Sequence, residues 1–148
     1  MPNELSVVDR LSVLPFPAGR TRPSEEDVWG GPGHHLAVLR ESRDFWDSRD
    51  EEIVEAAEQE IESAHTALAA RLTGRWGAPH AIELWPYLET DGPVPEPMGF
   101  LSCMAGSVQV WRLPATDRWI GLAVGQADPE WPIQLLLAVG ETAVLPEN

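Results

Sequence analysis

Residues 48–76 read SRDEEIVEAAEQEIESAHTALAARLTGRW, and this stretch sets the architecture. Ile53, Ala57, Ile61, Ala64, Leu68 and Leu72 recur in steps of four and three, the spacing that lines one face of an α-helix. Ser48-Arg49-Asp50-Glu51 has the S-x-x-E form of a capping box, in which the serine side chain satisfies an orphan amide and the glutamate reaches back. Acids crowd the first turns while Arg71 and Arg75 occupy the last, so both ends complement the helix dipole. Gly74 or Gly77, followed by Pro79, supplies the stop. The reading is one long helix within 48–76, roughly 24–27 residues and about 36–40 Å in length.

Beyond Pro79 the apolar period changes from near 3.6 to 2. Ala81–Trp85 reads as a strand, followed by a stiff, proline-rich loop over 91–97. Phe100–Met104, Ser107–Leu113, Arg118–Gln126 and Ile133–Val139 are four further strand candidates, separated by turn residues. The short Pro114–Asp117 link makes a hairpin in which Leu113 faces Arg118, Arg112 faces Trp119 and Val110 faces Gly121. One side of that hairpin then carries Gln109, Trp111, Leu113, Ile120, Leu122 and Val124, a bulky surface suited to the helix. The other carries a Gly121-Ala123-Gly125 track beside Arg112 and Trp119, a pair placed for a cation–π contact. A smooth track invites close approach by the N-terminal segment, by a second chain or by a ligand, and the N-terminal segment is the favoured occupant.

Residues 1–47 are less regular: Leu5–Val8, Leu11–Leu14 and Leu36–Leu39 read as short strands around a Pro/Gly-rich wrap over 15–33. The expected organisation is a single domain over 1–148. It comprises irregular or short-strand structure over 1–47, the helix over 48–76, antiparallel strands over 81–139 and a tail over 140–148. Segregated helix and strands define an α+β, two-layer fold, one long amphipathic helix packed on a mainly antiparallel sheet.

Charge narrows the function. The 148 residues carry 24 acids and 10 basic residues, all of them arginine, for a formal charge of −14. Residues 41–62 alone hold ten acids against two arginines, net −8, so the acidity is a patch at the helix start and not a uniform coat. The missing lysine has a compositional explanation in a GC-rich genome, which favours arginine codons and also the abundant Ala, Gly and Pro. A lysine-free acidic chain is ill suited to nucleic acid backbones. No apolar run approaches a membrane span, and Met1-Pro2-Asn3-Glu4 lacks the start of a signal peptide, so neither nucleic acid nor membrane is an expected partner and the cytoplasm is the expected location.

No catalytic motif emerges. G-x-S-x-G, H-E-x-x-H, P-loop and G-x-G-x-x-G patterns are missing from the sequence, and Gly30-Gly31-Pro32-Gly33 reads as a turn. Cys103, the one cysteine, lies in an apolar run where a buried small hydrophobe is the plainer reading. Glu62-x-x-His65 has a spacing used in di-iron bundles, but those need further motifs from other helices, so no metal or other cofactor is expected. The expectation leans away from an enzyme.

Two features point to protein recognition. Like-charged neighbours such as Glu51/Glu55 and Glu58/Glu62 each cost a few tenths of a kcal/mol, which a merely soluble helix avoids by interleaving basic residues. Seven tryptophans stand against one tyrosine, and Trp46 lies just ahead of the acidic turns. At least four of the seven are expected to build the core. The candidate partner-binding set is Asp44, Trp46, Asp47, Asp50, Glu51, Glu55, Glu58 and Glu62, facing a basic protein. The rival set is His34, His35, Arg112 and Trp119, as a small-molecule or enzymatic pocket between the sheet and the N-terminal segment, or as a second interface. A homodimer through the smooth sheet face is a third arrangement.

Val108–Leu113, Trp119–Gln126 and Pro132–Val139 together resemble, in texture, small acidic actinobacterial proteins without an assigned activity. The compact acidic α+β pattern is also similar to the immunity proteins of bacterial toxin systems. That likeness implies antagonism of a basic toxin domain and carries over no individual residue.

Overall fold

The computed structural model describes residues 4–22, 27–114 and 116–145. The central helix, α2, spans Glu51–Trp76, 26 residues, and buries Ala57, Ile61, Leu68 and Leu72 from the predicted stripe. Ile61 and Leu72 are fully enclosed, each worth about 1.5–3 kcal/mol of apolar burial. Gly77, at φ 86° and ψ −173°, ends the helix by donating its N–H to Thr73 O, in a backbone conformation open chiefly to glycine. The start differs from the capping-box reading. Asp50 is the N-cap and makes no side-chain cap bond, so Glu51 is the first helical residue and not the third. Ser48 Oγ instead accepts the Asp50 N–H at 3.3 Å.

The sheet has six antiparallel strands: β1 Val28–Gly31, β2 His34–Glu41, β3 His80–Glu83, β4 Ser107–Arg112, β5 Arg118–Gly125 and β6 Gln134–Glu141. Their spatial order is β1-β2-β6-β5-β4-β3. Strands β3 to β6 form the expected meander, and the β1–β2 hairpin joins it by pairing β2 with β6. The β4–β5 hairpin has the predicted register, with Arg112 opposite Trp119, Val110 opposite Gly121 and a Leu113 N–H bond to Arg118 O at 3.0 Å. Trp111, Leu113, Ile120 and Leu122 meet Leu68 and Leu72 of α2 in one core cluster. The protein is α+β, its long helix lying across an antiparallel sheet.

Three segments depart from the strand readings. Residues Glu4–Val13 form one helix, α1, with Val8 and Leu11 buried three positions apart against the same cluster as α2. Phe100–Met104 belongs to a second short helix, α4, Met98–Met104, which turns Met98, Leu101 and Ser102 inward at helical spacing. A single turn, α3, Trp85–Leu88, follows β3. The tail is structured as well: β6 runs to Glu141, and Leu145 is buried after a 3-10 turn.

The smooth sheet face is covered, but not by the N-terminal segment, whose helix lies on the α2 side. Trp119 lays its own indole there. A Cβ at Gly121 would stand 2.6 Å from Trp119 Cζ3, and one at Gly140 2.7 Å from Cε2. The indole N–H donates to Glu141 O at 3.0 Å. Helix α4 closes the rest, with Leu101 and Met98 packed beside Leu84, Val108, Val110 and Leu136. Glycines on this track make room for an internal side chain.

Candidate functional site

The sequence places Trp46 and Trp131 far apart, and the sheet brings them together. Because β2 pairs with β6, the chain leaving β2 runs beside the chain entering β6. Backbone bonds lock the two loops: Ser42 N–H to Ile133 O at 2.8 Å and Phe45 N–H to Glu130 O at 2.9 Å. The Ile133 N–H donates to Ser42 Oγ at 2.8 Å, which explains a buried serine here. Phe45 is buried against Ala57, Ile61 and Leu135, pinning the first loop to α2. Gln126 Nε2 donates to Trp131 O at 2.8 Å and to Pro129 O at 3.3 Å, bracing the second.

On this frame the two indoles meet edge-on, centroids 6.2 Å apart and planes at 65°. Trp46 is 58% exposed and Trp131 53% exposed; Trp85 is as exposed at 58%, and what distinguishes the other two is that they pair. Among the described residues neither indole N–H has an acceptor. Asp47, Asp50, Glu51, Glu55, Glu58 and Glu62 are all exposed and Asp44 is half-buried. The described ion pairs lie elsewhere, Arg40 with Glu4 and Arg75 with Asp9, so none of these seven carboxylates is neutralised within the described residues. The structure thus pairs Trp46 of the predicted set with Trp131, with Asp44 and Asp47 beside Trp46 in the chain and the other acids exposed on α2 or at its N-cap. Trp131 was outside that set. Its signal was the Asp128-Pro129-Glu130 turn before it and Pro132 after it, which hold it out of the strand.

The rival set does not converge. His34 and His35 are adjacent on β2 and therefore point to opposite sheet faces. His34 lines a cleft of about 400 Å³ with Arg20, Trp29, Glu96, Phe100 and Cys103. His35 lies under α1, its Nε2 bonded to Leu14 O at 2.9 Å and its ring 5.0 Å from Phe16. Burial chiefly lowers the His35 pKa below 6.5, the Leu14 bond opposes this, and the Arg118 and His34 charges lower it further. Trp119 is wholly buried and Arg112 exposed, and the expected contact between them is replaced by Arg118, which sits 4.0 Å over the Phe16 ring. Arg118 also donates to Leu11 O and Ser12 O at 3.2 and 3.3 Å, a cation at the C-terminal end of α1. Cys103 is exposed, contrary to its buried reading, because its segment is helical and turns it outward.

Comparison with family models, curated proteins and solved structures gives no match. Among the described residues no helix is long and apolar enough to cross a membrane.

Proposed function

We propose that this protein is a non-enzymatic recognition module that docks a basic protein through the Trp46–Trp131 pair and the acidic face of α2. The exposed, edge-on tryptophan pair on two hydrogen-bonded loops carries the reading. Paired aromatics in a rigid setting are the usual anchors of an interface, because they bury large area at little entropic cost. The carboxylates of residues 44–62 in the proposed set, which form no ion pair among the described residues, would accelerate encounter with a cationic surface and orient it. An inhibitor or immunity role against a basic enzyme domain, in the cytoplasm, is the specific form proposed.

Affinity capture from cytosol, repeated in low salt and at about 1 M salt where screening is nearly complete, tests this. Basic proteins should be retained at low salt, and charge reversal at Glu51, Glu55 and Glu58 should release them. Retention that ignores both salt and charge reversal would refute the electrostatic reading.

The cleft at His34 supports a second reading, a small-molecule site. Trp29 and Phe100, 5.3 Å apart and edge-on, wall a space that also presents Arg20, Glu96 and Cys103. Thermal-shift screening of small anions and aromatic acids addresses it: stabilisation lost in His34→Ala supports the site, and a flat response opposes it.

A further inference from the structure

Two cavities run along the β4–β5 side of α2, one of about 370 Å³ and one of about 300 Å³, and they share Glu62, Gly106 and Val124. Together they make one groove. Two residues of its lining, His65 and Gln109, each hold a buried polar atom without a partner among the described residues, Nε2 and Oε1. Buried polar atoms are nearly always paired, so two orphans on residues that line one groove leave hydrogen-bonding capacity there for an incoming group. The space is also an order of magnitude larger than the roughly 30 Å³ that one water occupies.

The chemistry of the wall selects the occupant. Gln109 Oε1 accepts only, and His65 Nε2 accepts when the ring proton is on Nδ1. Glu58 and Glu62 add two carboxylates that form no salt bridge among the described residues. Gln109 Oε1 and both carboxylates call for a donor, and His65 Nε2 joins them in its Nδ1–H tautomer. A metal ion fits poorly, since no three His, Cys, Asp or Glu side chains converge among the described residues. A guanidinium fits well: planar, permanently charged, weakly hydrated and carrying five N–H donors. Leu122, Val124 and Ile133 supply apolar wall for its methylene stem.

The groove also adjoins the tryptophan pair. Gln126 and Ile133 line it, and both belong to the loop that presents Trp131, with Gln126 Nε2 bonded to Trp131 O. We infer that the groove takes an arginine side chain of the basic partner, beside the Trp46–Trp131 anchor. This rests on the docking reading above and names the contact that gives it specificity.

The test titrates the protein with an oligoarginine peptide and an oligolysine peptide of equal length, following the His65 ring and Gln109 side-chain amide signals by NMR. Oligoarginine should bind about tenfold tighter, the size of one charge-assisted hydrogen bond, and should move both signals. Gln109→Leu and His65→Phe should erase the preference for arginine, while Glu51→Gln should weaken both peptides alike. Unchanged thermal midpoints would show that the variants fold, and the wild-type signals need no variant at all. Equal affinities with unmoved His65 and Gln109 signals would overturn the groove assignment and leave the docking reading standing. Binding of neither peptide would overturn both. Signals that respond to free arginine amide as strongly as to the peptide would replace the docked side chain with a metabolite.

Discussion

Trp119 and the Trp46–Trp131 pair spend the same side chain in opposite ways. Trp119 sits in a strand whose neighbours are glycines, so its ring lies flat on the sheet over Gly121 and Gly140 with its N–H bonded to Glu141 O. Trp46 and Trp131 sit in loops whose backbones are fastened to each other, so their rings are held out, with no acceptor for either N–H among the described residues. What separates these three tryptophans is the backbone around each ring, not its hydrophobicity. Gly140 opposite Trp119 lets that ring lie on the sheet, and the tied loops hold Trp46 and Trp131 at the surface.

The sharpest way to break this contrast is truncation at both places. Trp119→Ala should cost about 3–5 kcal/mol in urea unfolding, the range for an emptied aromatic core site. Gly140→Ala should cost about 1–3 kcal/mol, because a methyl group there cannot coexist with the indole unless strands move. A near-neutral result would mean that the ring is not seated on the sheet.

A smaller effect separates the two sheet faces by pH. The folded pKa of His35 lies below 6.5, so between that value and about 6.5 the unfolded chain binds a proton that the folded chain does not. Stability must therefore fall as pH is lowered through this window and be complete above it. Wild-type protein should lose more than His35→Gln, whose amide can still donate to Leu14 O, when thermal midpoints are compared between pH 7 and pH 5, a window set by the usual histidine pKa of about 6.5. Parallel curves for the two proteins would remove His35 as the cause. The smallest effect belongs to Trp46→Ala and Trp131→Ala, which should change stability by no more than about 0.5 kcal/mol. Each should nevertheless abolish capture of a basic partner, and a loss above about 2 kcal/mol would make the pair structural.

The sequence carries this division unevenly. Helix α2 and the β4–β5 register were legible because both have enough residues for their period to show, and Gly77 and the short turn fix their ends. Helix α4 was not, since seven residues reading MGFLSCM hold too few turns to separate a helix from an apolar strand. Helix α1 was hidden by Val7, Val8 and Val13, β-branched residues whose strand preference yields to the Val8–Leu11 contact with the core. The acidic half of the candidate site could be read directly, because like charges at helical spacing are visible in one dimension. Its aromatic half could not, because Trp46 meets Trp131 only through the β2–β6 pairing.

That pairing also times the appearance of the surface. Strands β2 and β6 lie at opposite ends of the chain, and closing so long a loop is costly in entropy, so their ladder is unsuited to forming ahead of the local β4–β5 and β5–β6 hairpins. A nascent or partly unfolded molecule can display the acids of α2 while its two tryptophans remain apart. Under the proposed docking role, such a molecule would attract cations without discrimination, and the folded chain alone would recognise a partner. Under that proposal, binding competence would report that the β2–β6 ladder has closed.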